Sequence, residues 1–229
     1  MKKIYVIHGW SYNLDKWQAI RPYLKALDIE PIFLKVPGLA EPSDKVWDID
    51  DYVDWLDKQL AKVDNPIVVG HSNGGRIALN YALQHPGSLQ SLVLIDSAGI
   101  PHNEFGPKTK RAIFRLIAHI GKVFAFIPGL KRTYYRLIGA RDYLEAPDNM
   151  KQTMRNMLKS DSQIDYREIN LPVTLIWGSE DSVTPLKDGR KLAQLLPNAH
   201  LEIINGARHA PQSTNAEEVA KLIADAAQN

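Results

Sequence analysis

Gly70-His71-Ser72-Asn73-Gly74 follows the apolar run Ile67–Val69 and precedes the helical pattern Arg76–Gln84. A serine on a sharp strand-to-helix turn is a candidate nucleophile. The turn lifts its hydroxyl above the sheet, and the positive end of the following helix stabilises a developing oxyanion. Such a turn strains the backbone at the serine, so the positions two residues away must be nearly without side chains, and Gly70 and Gly74 meet that demand. A bare G-x-S-x-G also occurs in ordinary turn-forming loops. Here the strand before it and the helix after it favour Ser72 as a nucleophile.

A serine hydroxyl is a weak nucleophile until a base takes its proton. Behind a turn of this kind the partners follow in the order serine, acid, histidine, each in a loop after the carboxyl end of a strand. Of the seven histidines, His8 and His71 precede or adjoin the serine, His85 and His102 follow earlier elements, and His119 lies in a basic stretch. His200 introduces the strand Leu201–Ile204 and so sits at the wrong end of it. His209 follows that strand after Asn205-Gly206-Ala207-Arg208 and is the expected base. The acid, which orients the imidazole and stabilises the imidazolium, is expected at Asp181 in Trp177-Gly178-Ser179-Glu180-Asp181. Glu180 reads as a solvated neighbour, and Asp96, ending Leu92–Ile95, is a rival. The oxyanion needs two N–H donors, each contributing about 3 to 4 kcal/mol. The expected donors are the backbone N–H of Asn73 and that of Trp10 in His8-Gly9-Trp10, although the Trp10 ring also reads as a pocket wall.

The elements that must position these residues are legible as short apolar runs alternating with longer amphipathic stretches, the pattern of a parallel sheet with crossover helices. The runs are Ile4–Ile7, Ile32–Val36, Ile67–Val69, Leu92–Ile95, Val173–Trp177 and Leu201–Ile204. Their near-continuous hydrophobicity implies helices on both faces. Trp17, Ile20, Leu24 and Leu27 fall at helical spacing, as do Ile49, Tyr52, Val53, Leu56 and Leu60.

The formal net charge of +2 is unevenly spread. Lys and Arg number 10 against 13 Asp and Glu in residues 1–106, 12 against 3 in 107–160, and 6 against 10 in 161–229. The basic middle has no strand signal between Ile95 and Val173. It carries an amphipathic pattern over Lys108–Ile127, a second over Leu130–Ala140, and a third over Pro147–Lys159 with Met150, Met154 and Met157 on one face. It reads as a helical insertion between the fourth and fifth strands. Its charge suits anionic substrates or a weak contact with anionic surfaces, or merely solvates outer helix faces. No apolar run approaches the roughly 18 residues of a membrane span, and Met1–Ile7 is too short in its apolar part for a signal peptide. The chain has no Cys, hence no disulfide framework, thiol nucleophile or Cys metal site. A reducing cytoplasm fits, no nucleic-acid partner is expected, and oligomeric state is not legible.

Four motifs in order resemble the α/β-hydrolase superfamily. They are His8-Gly9-Trp10 as its oxyanion loop, Gly70–Gly75 as its nucleophile elbow, Trp177–Asp181 as its acid loop and Gly206–Pro211 as its histidine loop. The resemblance implies an α/β fold with a core of residues 1–98 and 169–229, and a helical cap of residues 99–168. Relatives usually carry two further strands before the oxyanion loop. Here a six-stranded, mainly parallel sheet is expected, with Ile32–Val36 at its edge because Pro31 and Lys35 suit an exposed strand. Some relatives draw the acid from the strand that Asp96 ends. A serine nucleophile disfavours the branches that attack through Asp and implies acyl transfer without metal or organic cofactor. The expected activity is a carboxylesterase for a small-molecule ester with a small to medium acyl chain. The alternatives are a carbon–carbon bond hydrolase, lactonase or perhydrolase with the same residues, and a receptor-like binding protein with little turnover.

Overall fold

A computed structural model describes residues 1–101 and 146–228 of the chain. Six strands, β1 (Lys2–Ile7), β2 (Ile29–Leu34), β3 (Ile67–His71), β4 (Ser91–Ile95), β5 (Val173–Gly178) and β6 (Ala199–Ile204), form one sheet. Their order is β2-β1-β3-β4-β5-β6, and every pairing is parallel. Alternate residues of each central strand feed opposite faces, which is why the runs read as continuously apolar. Val68, Leu92, Leu94 and Leu175 enter one core, covered by α2 (Ile49–Leu60), α3 (Asn73–Gln84) and α5 (Leu186–Leu195). Ile67, Val69, Val93, Ile95 and Ile176 enter the other, covered by α1 (Arg21–Ala26) and α7 (Ala216–Gln228). The order reverses at β1 and β3, and the loops after these strands face one crevice, where open parallel sheets bind ligands.

Two expectations shift. The edge strand begins at Ile29 and ends at Leu34 rather than running from Ile32 to Val36. Pro31 therefore sits inside the strand, opposite Ile4, a position open to it because among the described residues β2 has a neighbour on one side alone. Val36 leaves the ladder because its N–H donates to Nε2 of His8 at 3.2 Å. The Trp17–Leu27 pattern is not one helix. A 3-10 turn at Asp15–Trp17 is followed by α1, which Pro22 starts rather than continues, since proline has no N–H to give the preceding turn. Trp17, Ile20 and Leu24 are still buried, whereas Leu27 caps the helix and is exposed.

Of the expected helical insertion, the patterns over Lys108–Ile127 and Leu130–Ala140 lie outside the described residues. The third forms α4 (Asp148–Ser160), and no strand falls between β4 and β5 among the described residues. Met150 and Met157 are fully buried in the core, while Met154 lines the cavity described below, so the methionine row divides between packing and pocket wall. Polar contacts fasten α4 to the segment after β2. The N–H of Trp47 donates to Thr153 Oγ1 at 2.9 Å, and Asn149 Nδ2 donates to the carbonyl of Ser43 at 2.9 Å. Gly38, at φ 79°, passes so close to Met150 that any Cβ would overlap that side chain. Between α5 and α7, the short α6 (Pro211–Thr214) follows the loop that carries His209. Among the described residues no helix is long and apolar enough to cross a membrane.

Candidate active site

Ser72 stands between β3 and α3 with φ 53° and ψ −119°, a strained conformation for a non-glycine residue. The close packing that enforces it is backbone on backbone. A Cβ on Gly70 would lie 2.7 Å from the Cα of Gly75, and one on Gly74 would overlap the carbonyl of Ile7. The demand for glycine at these two positions is therefore steric and comes from the neighbouring strand as well as from the turn.

The structure brings Ser72, His209 and Asp181 together from three loops. His209 Nε2 is 2.9 Å from Ser72 Oγ, and His209 Nδ1 is 2.8 Å from Asp181 Oδ2. A carboxylate accepts and does not donate, so Nδ1 carries the proton and Nε2 is left to accept the serine O–H. Asp181 is buried to 0% side-chain exposure, while His209 keeps 22%. Burial opposes ionisation of Asp181, but the hydrogen bonds and charge of His209, with further donors from Thr184 and Val183, hold its carboxyl below the usual carboxylate range. Oδ1 accepts the N–H groups of Val183 (2.7 Å) and Thr184 (3.1 Å), and Oδ2 lies 2.7 Å from Thr184 Oγ1. Thr184 Oγ1 is also 3.2 Å from His209 Nδ1. Thr184 was not among the expected residues. Its signal was local: Asp181-Ser182-Val183-Thr184-Pro185 has an Asp whose side chain can bond the backbone two and three residues on, ahead of a proline.

The carboxylate bonded to His209 is that of Asp181, although Asp96 lies within 4.8 Å of the same ring. Glu180 is exposed. Asp96 is fully buried, its Oδ1 accepting the Gly178 N–H at 2.9 Å, and among the described residues its Oδ2 has no hydrogen-bond partner. The remaining described histidines also have specific surroundings. His200 is exposed on β6 and pairs with Glu202, and His85 stacks on Tyr81. His102 and His119 lie outside the described residues.

His8 and His71, set aside as bases, support the site. His8 Nε2 accepts from Val36, so Nδ1 must hold the proton and donate to the carbonyl of Gly9 at 2.8 Å, which pins the loop bearing Trp10. His71 Nε2 donates to the carbonyl of His209 at 2.9 Å. Burial, then the charge of His209, pushes the His71 ring down to about 3, so it is neutral and serves as a fixed donor. Asn73 opens α3, where first-turn N–H groups have no intrahelical acceptor. The loop before Trp10 runs against the serine: a Cβ on Gly9 would lie 3.0 Å from Ser72 Cβ. Arg76 is a further residue that spacing did not reveal. Its Nη1 donates to Asn73 Oδ1 at 2.6 Å, and its Nε and Nη2 grip Asp161 at 2.6 and 2.9 Å.

These groups border a cavity of about 560 Å³, with Trp10, Ser72, Met154, Leu158 and Val183 among its walls. Among the described residues, His71, Asp96 and His209 bring potential metal-ligand atoms within 4.8 Å of one another. Both nitrogens of His209 and Nε2 of His71 are already engaged by protein partners, so the trio is part of the hydrogen-bond network.

The sequence profile described as the Alpha/beta hydrolase family matches residues 4–222. The chain belongs to that family. It is similar to the Biotin biosynthesis bifunctional protein BioHC of Teredinibacter turnerae, with 28% identity covering 95% of this chain and 43% of that protein. The chain thus spans less than half of that relative. It is 27% identical to the Pimeloyl-[acyl-carrier protein] methyl ester esterase of Neisseria meningitidis serogroup A, over 98% of this chain and 76% of the relative. The bromoperoxidase structure from Bacillus anthracis superimposes with a TM-score of 0.73 at 18% identity, covering all of this chain and 92% of the other, which shows a shared fold.

Proposed function

We propose that this α/β hydrolase is a serine carboxylesterase in which Ser72 is the nucleophile, His209 the general base and acid, and Asp181 the orienting carboxylate. The observation that carries the reading is the unbroken relay from Ser72 Oγ through both nitrogens of His209 to Asp181, at 2.9 and 2.8 Å. Ser72 Oγ attacks the ester carbonyl as its proton passes to His209 Nε2. The carbonyl oxygen becomes an oxyanion received by the backbone N–H groups of Asn73 and Trp10. Collapse expels the alcohol, which takes the proton from His209, and leaves an acyl-serine. Water then gives a proton to His209 and attacks the acyl carbon, releasing the acid and restoring Ser72.

A small to medium acyl chain is supported by the cavity volume and by Met154, Leu158 and Val183 at its walls. Relatives named for methyl ester hydrolysis favour an ester over a carbon–carbon bond or lactone. We assign residues 99–168 to a cap over the core, on the strength of Met154 and Leu158 reaching the cavity from α4. Cytoplasmic action on a small molecule accords with a Cys-free chain.

Ser72→Ala tests the reading. Hydrolysis of p-nitrophenyl acetate and butyrate falls by about 10⁴-fold or more, fluorophosphonate labelling is lost, and circular dichroism is unchanged. Retained turnover defeats the assignment. A panel of esters of graded chain length, lactones and a diketo acid separates esterase from the alternatives, and labelling without turnover on any of them marks a receptor.

A further inference from the structure

Behind His209 lies a second carboxyl group that this mechanism does not use. Asp96 directly follows β4 at φ 42°, a left-handed conformation, and is fully buried. Its N–H donates to the carbonyl of Ile176 at 3.0 Å, and its carbonyl oxygen lies 3.0 Å from Thr184 Oγ1, whose single proton has Asp181 Oδ2 as its nearer acceptor. Its Oδ1 accepts the Gly178 N–H, and its Oδ2, equally buried, receives no donor. An ionised carboxylate with one oxygen in that condition is heavily penalised, because water is excluded and nothing replaces it.

Among the described residues, no Lys or Arg bonds the Asp96 carboxyl. Asp181 and Thr184 face it from the loop after β5: Thr184 Oγ1 lies 3.0 Å from the Asp96 carbonyl oxygen and 2.7 Å from Asp181 Oδ2, and the charge of Asp181 acts on the Asp96 carboxyl. His71, at the end of β3, is neutral, and His209, from the loop after β6, already gives its Nδ1 proton to Asp181. Two carboxylates this close do not both ionise readily. A proton on Asp96 Oδ2 removes both difficulties: the orphan acceptor becomes a donor, and Asp181 is an acceptor beside it.

We propose that Asp96 is a positioning residue held as the neutral acid at physiological pH, its Oδ2–H donating a hydrogen bond to the carboxylate of Asp181. The inference rests on the reading of Asp181 and His209 given above. It gives the acid–histidine pair one negative charge rather than two. It also adds a donor to those orienting Asp181. Burial, and then the neighbouring Asp181 charge against the opposing Gly178 N–H, push the Asp96 carboxyl up to about 8, in keeping with this state.

The direct test is ¹³C NMR of the full-length protein labelled at the aspartate carboxyl carbons, titrated from pH 4 to 10. One carboxyl titrates near pH 8 and is missing from Asp96→Asn. If every carboxyl titrates below about 5, the proposal is overturned, and this arm needs no variant to fold. The kinetic arm uses the isosteric amide, whose oxygen can accept from Gly178 while its N–H donates to Asp181. Asp96→Asn keeps kcat/KM within a few-fold of wild type at pH 7 and loses the inflection that wild type shows near pH 8. A thousandfold loss at pH 7, or an inflection that survives the substitution, overturns it. Asp181→Asn, measured alongside, separates the two layers: undiminished turnover there defeats the esterase relay, whereas the titration near pH 8 bears on Asp96 alone.

Discussion

Asp161→Asn removes one charge from a pair that the fold has sealed, and the outcome follows from burial. Arg76 and Asp161 keep side-chain exposures of 5% and 8%, and the guanidinium grips the carboxylate through both Nε and Nη2. On the surface such a pair would contribute roughly 0 to 1 kcal/mol. Stripping one partner from a buried pair instead costs about 3 to 5 kcal/mol, because the remaining guanidinium is left without its anion and with little water to replace it. The asparagine oxygen can accept one of the two lost bonds, which places the expectation toward the lower end. For a chain of 229 residues, each kcal/mol moves the melting temperature by about 2 to 4 °C. Asp161→Asn should therefore lower it by roughly 6 to 20 °C in scanning calorimetry, with urea denaturation reporting the free energy independently. Removing both charges together, as Arg76→Met with Asp161→Leu, should recover most of the loss, since apolar replacements carry no desolvation penalty. A drop of less than about 2 °C in the single variant, equivalent to no more than about 1 kcal/mol, would refute the reasoning that burial governs this pair. Arg76→Met should also lower kcat at little cost in KM, because Arg76 Nη1 fixes the side chain of Asn73, whose N–H the mechanism assigns to the oxyanion.

Thr184→Val keeps the shape of the side chain but deletes the hydroxyl 2.7 Å from Asp181 Oδ2; one lost bond to a charged group, about 1.5 kcal/mol, predicts a kcat about tenfold lower with KM unchanged in steady-state kinetics. The two perturbed buried groups also predict the shape of stability against pH. The native state keeps His71 neutral down to about 3, whereas the unfolded ring binds a proton below about 6.5, so stability rises as pH climbs through that interval. Asp96 acts in the opposite sense: its native carboxyl holds a proton up to about 8 that the unfolded chain has released above about 4, so its contribution is lost as pH rises between those values. Thermal melts of Asp96→Asn should accordingly gain on wild type with increasing pH from 4 to 8, and a constant difference would count against a protonated Asp96.

Much of this architecture was written in local pattern. The central strands are short apolar runs because both of their faces are buried, and burial of both faces is a property each run carries alone. Ser72 was equally legible, since the strain of its turn leaves glycines at 70 and 74 as a local trace. The split of the Trp17–Leu27 pattern at Pro22 is a local effect, whereas the shifted end of β2 comes from a distant residue. β2 stops at Leu34 because His8 takes the N–H of Val36, and that contact spans 28 positions.

The sequence by itself determined the six strands, the serine on its turn and a short list of partners, because hydrophobic period and turn chemistry act between near neighbours. Only the tertiary structure shows which of the two aspartates lies against His209. Asp96 and Asp181 both follow a strand of the same sheet, and their placement depends on side-chain direction: the left-handed backbone of Asp96 aims its carboxyl at Gly178, while the turn through Val183 and Thr184 holds Asp181 against His209. The same holds for Arg76 and Asp161, 85 positions apart, and for His71 and His209, 138 apart. Spacing along the chain carries no record of these contacts, since each is set by how the sheet and its helices bring separate loops to one crevice.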